Sequence, residues 1–517
     1  MAAAEATLIF TTKRKELFLF DRKLFRTVGV NENNSNAYYV CYTDSIVKCG
    51  GRIKKTALGE IIQTVASIDT CHEIPDAKLF AMRARKRLFD LVRLQPHRSI
   101  RQCYNEIRAS LSQANLEAVI HMDSLSTLRA SLQRWRRGVI PQSPHNYNSI
   151  PSMETFPQRY TRNKLDDDVF LFLDRIYVPP EGDNGTAYRL LAFMSPRSAT
   201  ELVNADKVLI DGTFKVAAHP FAQLFTISTF RGGDPDRIQM IPRCWALLPF
   251  KSEHLYTYFF TELFSELSNR FGLPLNTIRW RELSSDYESG LLPFYRNYLI
   301  PTLQHVRNDN EEQKLRIKGC LFHFAQALHR KLVDLGLLQD YKDVTKPLKR
   351  FIKLLIALHF FPVDQVIPLF HVIVLTEVKA PYVGSDGKCN HQQLRAFLDY
   401  YWKTYLRSDQ MRNLVNCFQR EDHRTNNDVE GFHSKLLRLF PALNPDLWRF
   451  ITTIQNIDHD NFLEEVQIDG GQGNSRRRRL RYRNMEARIE TVKTEFINNS
   501  RSALDYVKNI SYLMLNF

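Results

Sequence analysis

The sequence predicts an α/β protein built from more than one domain. Three observations carry this. The 517 residues exceed what one ordinary core can organise. Hydrophobic content of 44% and aromatic content of 12% belong to a folded chain. From about residue 165, strand-length runs rich in aromatic and β-branched residues alternate with helix-length amphipathic segments.

The formal net charge of +15 is unevenly spread. Residues 1–150 carry a net +10 and residues 470–517 a net +6, which leaves 151–469 at −1. Basic ends around a near-neutral centre point to arms that bind a polyanion, with nucleic acid favoured over solubility alone. The opening Met1-Ala-Ala-Ala-Glu-Ala-Thr lacks the pattern of a secretory signal. The most apolar stretch, Phe351 to Leu375, is interrupted by Lys353, Pro362, Asp364 and His371, so buried helices are expected there and no membrane span. Eight cysteines in an apparently intracellular chain suggest metal ligands or buried thiols over a disulfide framework.

Residues 1–75 read as short strands, among them Leu17–Phe20, Ala37–Cys41 and Gly51–Lys55. Cys41 and Cys49, followed by Cys71 and His72, could staple so small a module with zinc. Tyr38-Tyr39-Val-Cys41, Cys49 and His72-Glu-Ile74-Pro75 resemble a FLYWCH-type zinc finger, with Ile74 where that family places its second His. The resemblance implies a tentative zinc site; a degenerate finger without metal is the alternative. Residues 76–140 read as three helices, with Ser99 as a possible cap of the second and Arg134, Arg136 and Arg137 ending the third. A helix-turn-helix-like DNA-binding region is the functional reading and plain three-helix packing the bland one. Pro141, Pro144 and Pro151 mark residues 141–164 as a linker.

The central domain, residues 165–468, turns on Lys207-Val-Leu-Ile-Asp211-Gly-Thr-Phe-Lys-Val216, an apolar run with one carboxylate inside it. A charge placed so is costly without a partner, and a divalent cation is one. Phe221–Phe230 and Ile238–Leu248 follow as strands across a Gly232-Gly233-Asp-Pro235 turn. Ser252 caps a predicted helix to Leu267, and Asn276–Trp280 is read as a strand leading to Asp286. Three strands, a helix and a fourth strand is the order of an RNase H-like fold. The 143 residues between Asp286 and Glu430 exceed what that fold needs, so a helical insertion is expected at about 325–420.

Four motifs run in order across about 195–435: Leu209-Ile-Asp-Gly-Thr-Phe-Lys215 with His219-Pro-Phe221, Ser285-Asp-Tyr-Glu288, Gly319-Cys-Leu-Phe-His-Phe-Ala-Gln326 and Arg424-Thr-Asn-Asn-Asp-Val-Glu-Gly-Phe-His433. Together they resemble the Mutator-like element (MULE) transposase domain. The resemblance implies Asp211, Asp286 and Glu430 as catalytic acids that hold two Mg²⁺ or Mn²⁺ ions for DNA strand cleavage and transfer. Glu288 and Asp428 are neighbouring acids outside that set; Asp428 lies about 200° from Glu430 around a helix. Cys320 and His323, spaced to share a helix face, could bind metal with Cys389 and His391, or serve structurally near the acids. Arg424, Asn426, Asn427 and His433 flank Glu430 and could contact DNA.

After a Gly-rich break, Arg476, Arg477, Arg478 and Arg479 open a basic C-terminal tail, residues 469–517, read as a nuclear signal or a phosphate-contacting arm. The expected protein is thus a nuclear, cut-and-paste DNA transposase. Its expected partners are double-stranded DNA, as terminal inverted repeats and target, and further copies of itself as a homodimer or higher oligomer. A domesticated DNA-binding regulator is the alternative, and a structure-specific nuclease on the same scaffold a third reading.

Overall fold

Alternation in the first residues becomes an antiparallel sheet. The computed structural model describes residues 7–10, 16–20, 23–31, 35–42, 51–56, 61–63, 74–180, 186–231, 239–288, 290–310, 314–379, 381–382, 391–419, 427–440, 444–471 and 480–514. The molecule is mixed α/β, and its chain divides into two units, Met1–Gln142 and Ser143–Phe517.

In the first unit, β1 (Thr7–Phe10), β2 (Glu16–Phe20), β3 (Lys23–Asn31), β4 (Asn36–Cys41), β5 (Arg52–Lys55) and β6 (Ile61–Gln63) pair in chain order, each antiparallel to the next. The period of two sorts the side chains. Leu17, Leu19 and Leu24 form one cluster with Ile74 and Leu79, while Phe18, Phe25 and Ile53 form another. Ile74, which stands where the finger resemblance expects a histidine, is therefore a core residue. Cys41 is half-buried on β4; Cys49, Cys71 and His72 lie outside the described residues. Helices α1 (Asp76–Leu94), α2 (Ile100–Ala114) and α3 (Leu125–Arg137) share a core of Leu88, Phe89, Val92, Ile100, Cys103, Tyr104, Leu128 and Leu132. Ser124 caps α3 by accepting from the Thr127 amide, whereas Ser99 stands at the N-cap of α2 without a side-chain hydrogen bond, contrary to expectation.

In the second unit, β7 (Leu171–Tyr177), β8 (Tyr188–Phe193), β9 (Lys207–Thr213), β10 (Gln223–Arg231), β11 (Gln239–Leu248), β12 (Glu282–Ser285) and β13 (Arg316–Gly319) form one sheet in the order β13-β12-β9-β10-β11-β8-β7. β10 is antiparallel to both β9 and β11, and β12 and β13 run parallel to β9. Helix α4 (Pro196–Asn204), capped by Ser195, leads into β9, and α5 (Glu253–Asn269), capped by Ser252, connects β11 to β12. The strand expected at Asn276–Trp280 is instead a short 3-10 turn at Leu275–Thr277 followed by the buried Trp280, whose indole N–H donates to the Leu202 carbonyl at 2.7 Å; the strand begins at Glu282. After β12 come α6 (Leu291–Phe294), a π-helical turn (Tyr295–Leu299) and α7 (Ile300–Arg307).

α5 buries Leu255, Phe259, Phe260 and Leu263 on the sheet face that carries Val208, Ile210, Phe225 and Ile227. The opposite face carries Leu209 and Asp211. There α14 (Asn427–Leu439) and α15 (Leu447–Asp469) pack, through Phe432 on Trp245 at 5.7 Å and Phe450 on Phe193 at 6.4 Å between ring centroids.

Of the linker expected at 141–164, residues from 143 on belong to the second unit and are packed within it. Tyr147 donates to the Pro220 carbonyl at 3.0 Å, Arg189 donates to the carbonyls of Ile150 and Pro151 at 2.7 Å, and Tyr160 packs on Trp448 at 4.8 Å. After β13 the chain enters α8 (Leu321–Asp334), α9 (Leu338–Lys342), α10 (Leu348–Ala357), α11 (Val366–Glu377), α12 (Gln392–Tyr401) and α13 (Asp409–Val415). The C-terminal segment is more than a basic tail. Beyond α16 (Leu480–Ile497), α17 (Ala503–Leu513) inserts Tyr506, Val507 and Ile510 into the same core as Phe324, Leu355 and Phe370. The Tyr506 hydroxyl donates to the Phe360 carbonyl at 2.7 Å. Among the described residues, no helix is long and apolar enough to cross a membrane.

Candidate functional site

Asp211 sits inside β9 with 3% of its surface exposed. The β9–β12 register pairs Val208 with Leu283 and Leu209 with Ser284. Asp286 follows the last residue of β12, and the register extended past the strand end brings it towards Asp211. The carboxyls sense each other. Asp286 is pushed up to about 7, first by burial, then by repulsion from Asp211 and from Glu288, with Lys251 opposing. Its Oδ1 is buried with no hydrogen-bond partner among the described residues.

Glu288 has one oxygen hydrogen-bonded and the other ion-paired, though Oε2, like Asp286 Oδ1, has no hydrogen bond among the described residues. Lys251 Nζ stands 2.6 Å from Oε2, and the Tyr256 hydroxyl donates to Oε1. The two acids two residues apart are thus differentiated: Glu288 is committed to protein partners and Asp286 offers an oxygen. Below them, Tyr295 donates to Ser285 Oγ at 2.7 Å and Ser285 Oγ donates to the Asp286 carbonyl at 3.1 Å, which fixes the backbone that carries the acid. Lys251 Nζ also lies 4.1 Å from the centroid of Phe214, which is 45% exposed just past the end of β9.

Two glycines permit these approaches. A Cβ on Gly212 would fall 2.0 Å from Gln223 Nε2, and one on Gly319 would fall 2.3 Å from the Tyr287 hydroxyl. Gly319 ends β13, and the Cys320 amide donates to the Ser285 carbonyl at 2.8 Å, so the start of α8 adjoins the strand end that carries Asp286. Cys320 is the N-cap of α8: its buried sulfur accepts from the His323 amide at 3.5 Å. The Cys-x-x-His spacing thus serves helix capping, and Cys389 lies outside the described residues. His391 caps α12, with its Nδ1 accepting from the Leu394 amide at 3.4 Å.

Glu430 and Asn427 lie on α14, and His433 one turn further on; their side chains, like Arg424 and Asn426, are outside the described residues. The helix itself covers the face to which Asp211 points, since Asp211 pairs with Thr226, Thr226 with Trp245, and Trp245 meets Phe432. Among the described residues, no group of three or more His, Cys, Asp or Glu is spaced to hold a metal ion. Of the basic arm, Arg134 and Arg137 are exposed at the end of α3, while Arg136 donates to the Arg98 carbonyl at 2.6 Å and belongs to that unit's packing. Arg476, Arg477, Arg478 and Arg479 lie outside the described residues.

Sequence reasoning missed Lys251, Tyr256 and Gln223 as neighbours of the acids. Each comes from a different element, and no local spacing links them. Comparison with family models, curated proteins and solved structures gives no match to this chain.

Proposed function

We propose that the chain is a DNA strand transferase of the Mutator-like transposase type, with its reaction centre at Asp211 and Asp286. The carrying observation is the pair itself: two buried acids, one on β9 and one just past β12, that repel each other, with one Asp286 oxygen unpartnered among the described residues. Structural carboxylates are normally paired with cations or donors; like charges held together mark a site that awaits a positive ligand. The strand order supports an RNase H-like reading, in which three antiparallel strands are followed by two that join parallel to the first.

The donor set is hard oxygen, which suits Mg²⁺ or Mn²⁺. Asp211 and Asp286 would hold the cation, and Glu430 on α14 would complete the set. Bound there, divalent ions activate a water or 3′-hydroxyl and stabilise the departing phosphodiester oxygen. The protein's own part is to hold the acids rigidly. Lys251 and Tyr256 keep Glu288 off the cation position, and the Tyr295–Ser285 pair fixes the Asp286 backbone. The exposed Arg134 and Arg137 and the run Arg476–Arg479 would contact phosphates, and the Cys41, Cys49, Cys71 and His72 set would carry zinc in the N-terminal finger. Nuclear location and a dimeric or larger assembly on DNA ends complete the reading.

The test incubates the purified full-length chain and Mn²⁺ with labelled duplexes that bear the sequences flanking its own gene. Wild type is expected to nick these ends and join them to target DNA, with Asp211→Ala and Asp286→Ala inactive. Cleavage that survives Asp211→Ala would refute the site. Sequence-specific binding without cleavage would favour a domesticated regulator, and cleavage without joining a nuclease.

A further inference from the structure

Gln223 opens β10 with no exposed surface. One end of its amide meets the Tyr256 hydroxyl, with Oε1 at 3.2 Å. The other end has no hydrogen-bond partner among the described residues. That end lies against Gly212, the residue after Asp211, close enough that no Cβ could stand there. Whichever way the amide is turned, the end away from Tyr256 can bond a water, donating through its NH₂ or accepting through its carbonyl.

An unpartnered buried amide is unfavourable, and protein interiors rarely tolerate one. Here the group is also held in place. Lys251 engages Glu288, Glu288 takes the Tyr256 hydroxyl proton, and Tyr256 anchors Gln223. The relay runs from the solvent-facing lysine to the backbone beside Asp211 and ends at an amide group without a hydrogen-bond partner among the described residues. Phe225 and Phe294 pack on the Tyr256 ring.

Building on the cation site proposed above, we infer that Gln223 is a positioning residue of that site, whose free amide end holds a cation-bound water beside Asp211. Such outer contacts orient the inner ligands and typically change metal affinity 10- to 100-fold when removed. Because the amide end away from Tyr256 has no partner among the described residues, an apolar side chain of similar length removes an unsatisfied group, which offsets the lost Tyr256 contact and should leave the fold no weaker.

The experiment titrates the full-length protein with Mn²⁺ alone, followed by calorimetry, and measures Tm without metal. Wild type, Gln223→Met and Asp211→Asn are compared. Gln223→Met is expected to bind Mn²⁺ at least about 10-fold more weakly than wild type, with an equal or higher metal-free Tm. A merely structural glutamine would give a lower Tm and unchanged affinity. If Gln223→Met binds Mn²⁺ like wild type while Asp211→Asn does not bind, this inference is overturned and the cation site stands. If wild type fails to bind, or Asp211→Asn binds equally well, both fall.

Discussion

Two clusters of buried charge lie on one sheet and are built oppositely. On β11, Arg243 donates through Nε to Thr229 Oγ1 at 2.9 Å and through Nη1 to Glu465 Oε2 at 3.1 Å, with Nη2 on Glu465 Oε1. Nearby, Asp458 accepts from Ser198 Oγ at 2.9 Å and from Ser195 Oγ at 3.2 Å. Positive meets negative, and the guanidinium fork is filled. On β9 and just past β12, Asp211 and Asp286 repel each other, and among the described residues one Asp286 oxygen and one end of the Gln223 amide have no hydrogen-bond partner. The first cluster ties α15 to the sheet. The second brings two buried acids together at the cost of mutual repulsion, for which a cation is the natural completion.

The contrast yields graded predictions. Asp211→Asn should lower Mn²⁺-dependent DNA cleavage by at least about a thousandfold, since several kcal/mol of transition-state stabilisation depend on the ions it holds, while the circular dichroism spectrum stays native. Glu465→Ala leaves Arg243 buried without its counter-charge and should destabilise the second unit by about 3–5 kcal/mol in urea unfolding. Asp286→Asn should do the reverse. The Asp286 pKa of about 7 lies above its ordinary 3.8. The stability contributed by the protonated form is therefore complete below pH 3.8 and lost as pH rises through 7. Without metal, Asp286→Asn should be more stable than wild type by roughly 2–4 kcal/mol at pH 8 and indistinguishable at pH 3.5.

A third buried group sharpens the comparison from the acid side. His359, fully buried in the helical core with Nε2 2.8 Å from the Tyr401 hydroxyl, is lowered to about 3 by burial. It stays neutral in the fold but protonates in the unfolded chain below about 6.5. Its contribution is thus present above pH 6.5 and declines towards pH 3, by at most about 1.4 kcal/mol per pH unit. His359→Gln should flatten the acid limb of a stability–pH curve. Smallest of all, Ile74→Ala should lower the stability of the first unit by about 2–3 kcal/mol, because that residue is core and its loss leaves a cavity, with no change in cleavage chemistry at Asp211.

Much of the sheet was legible because its strands are long and apolar. β9, β10, β11 and the capped helices α4 and α5 follow from hydrophobic runs and from Ser195 and Ser252. β12 and β13 were not, since Glu282–Ser285 and Arg316–Gly319 are four-residue segments rich in polar groups, and the buried Trp280 drew the reading upstream. Asp211 announced itself as an acid within an apolar run. Glu288 looked like a bystander, and only its Lys251 and Tyr256 partners, 37 and 32 residues away along the chain, explain how it differs from Asp286. Cys320 and His323 suggested ligands because capping and coordination use the same spacing. The docking of α17 depends on a partner surface distant in sequence, which no local pattern encodes.

The most direct measurement is Fe²⁺-directed cleavage of the protein's own backbone. Fe²⁺ would replace Mg²⁺ at the oxygen ligands, and ascorbate with peroxide would generate hydroxyl radicals there. The account predicts cuts centred on Asp211 and Asp286, with a third near Glu430, all suppressed by excess Mn²⁺ and lost in Asp211→Asn. Cuts elsewhere, or none that Mn²⁺ suppresses, would contradict it.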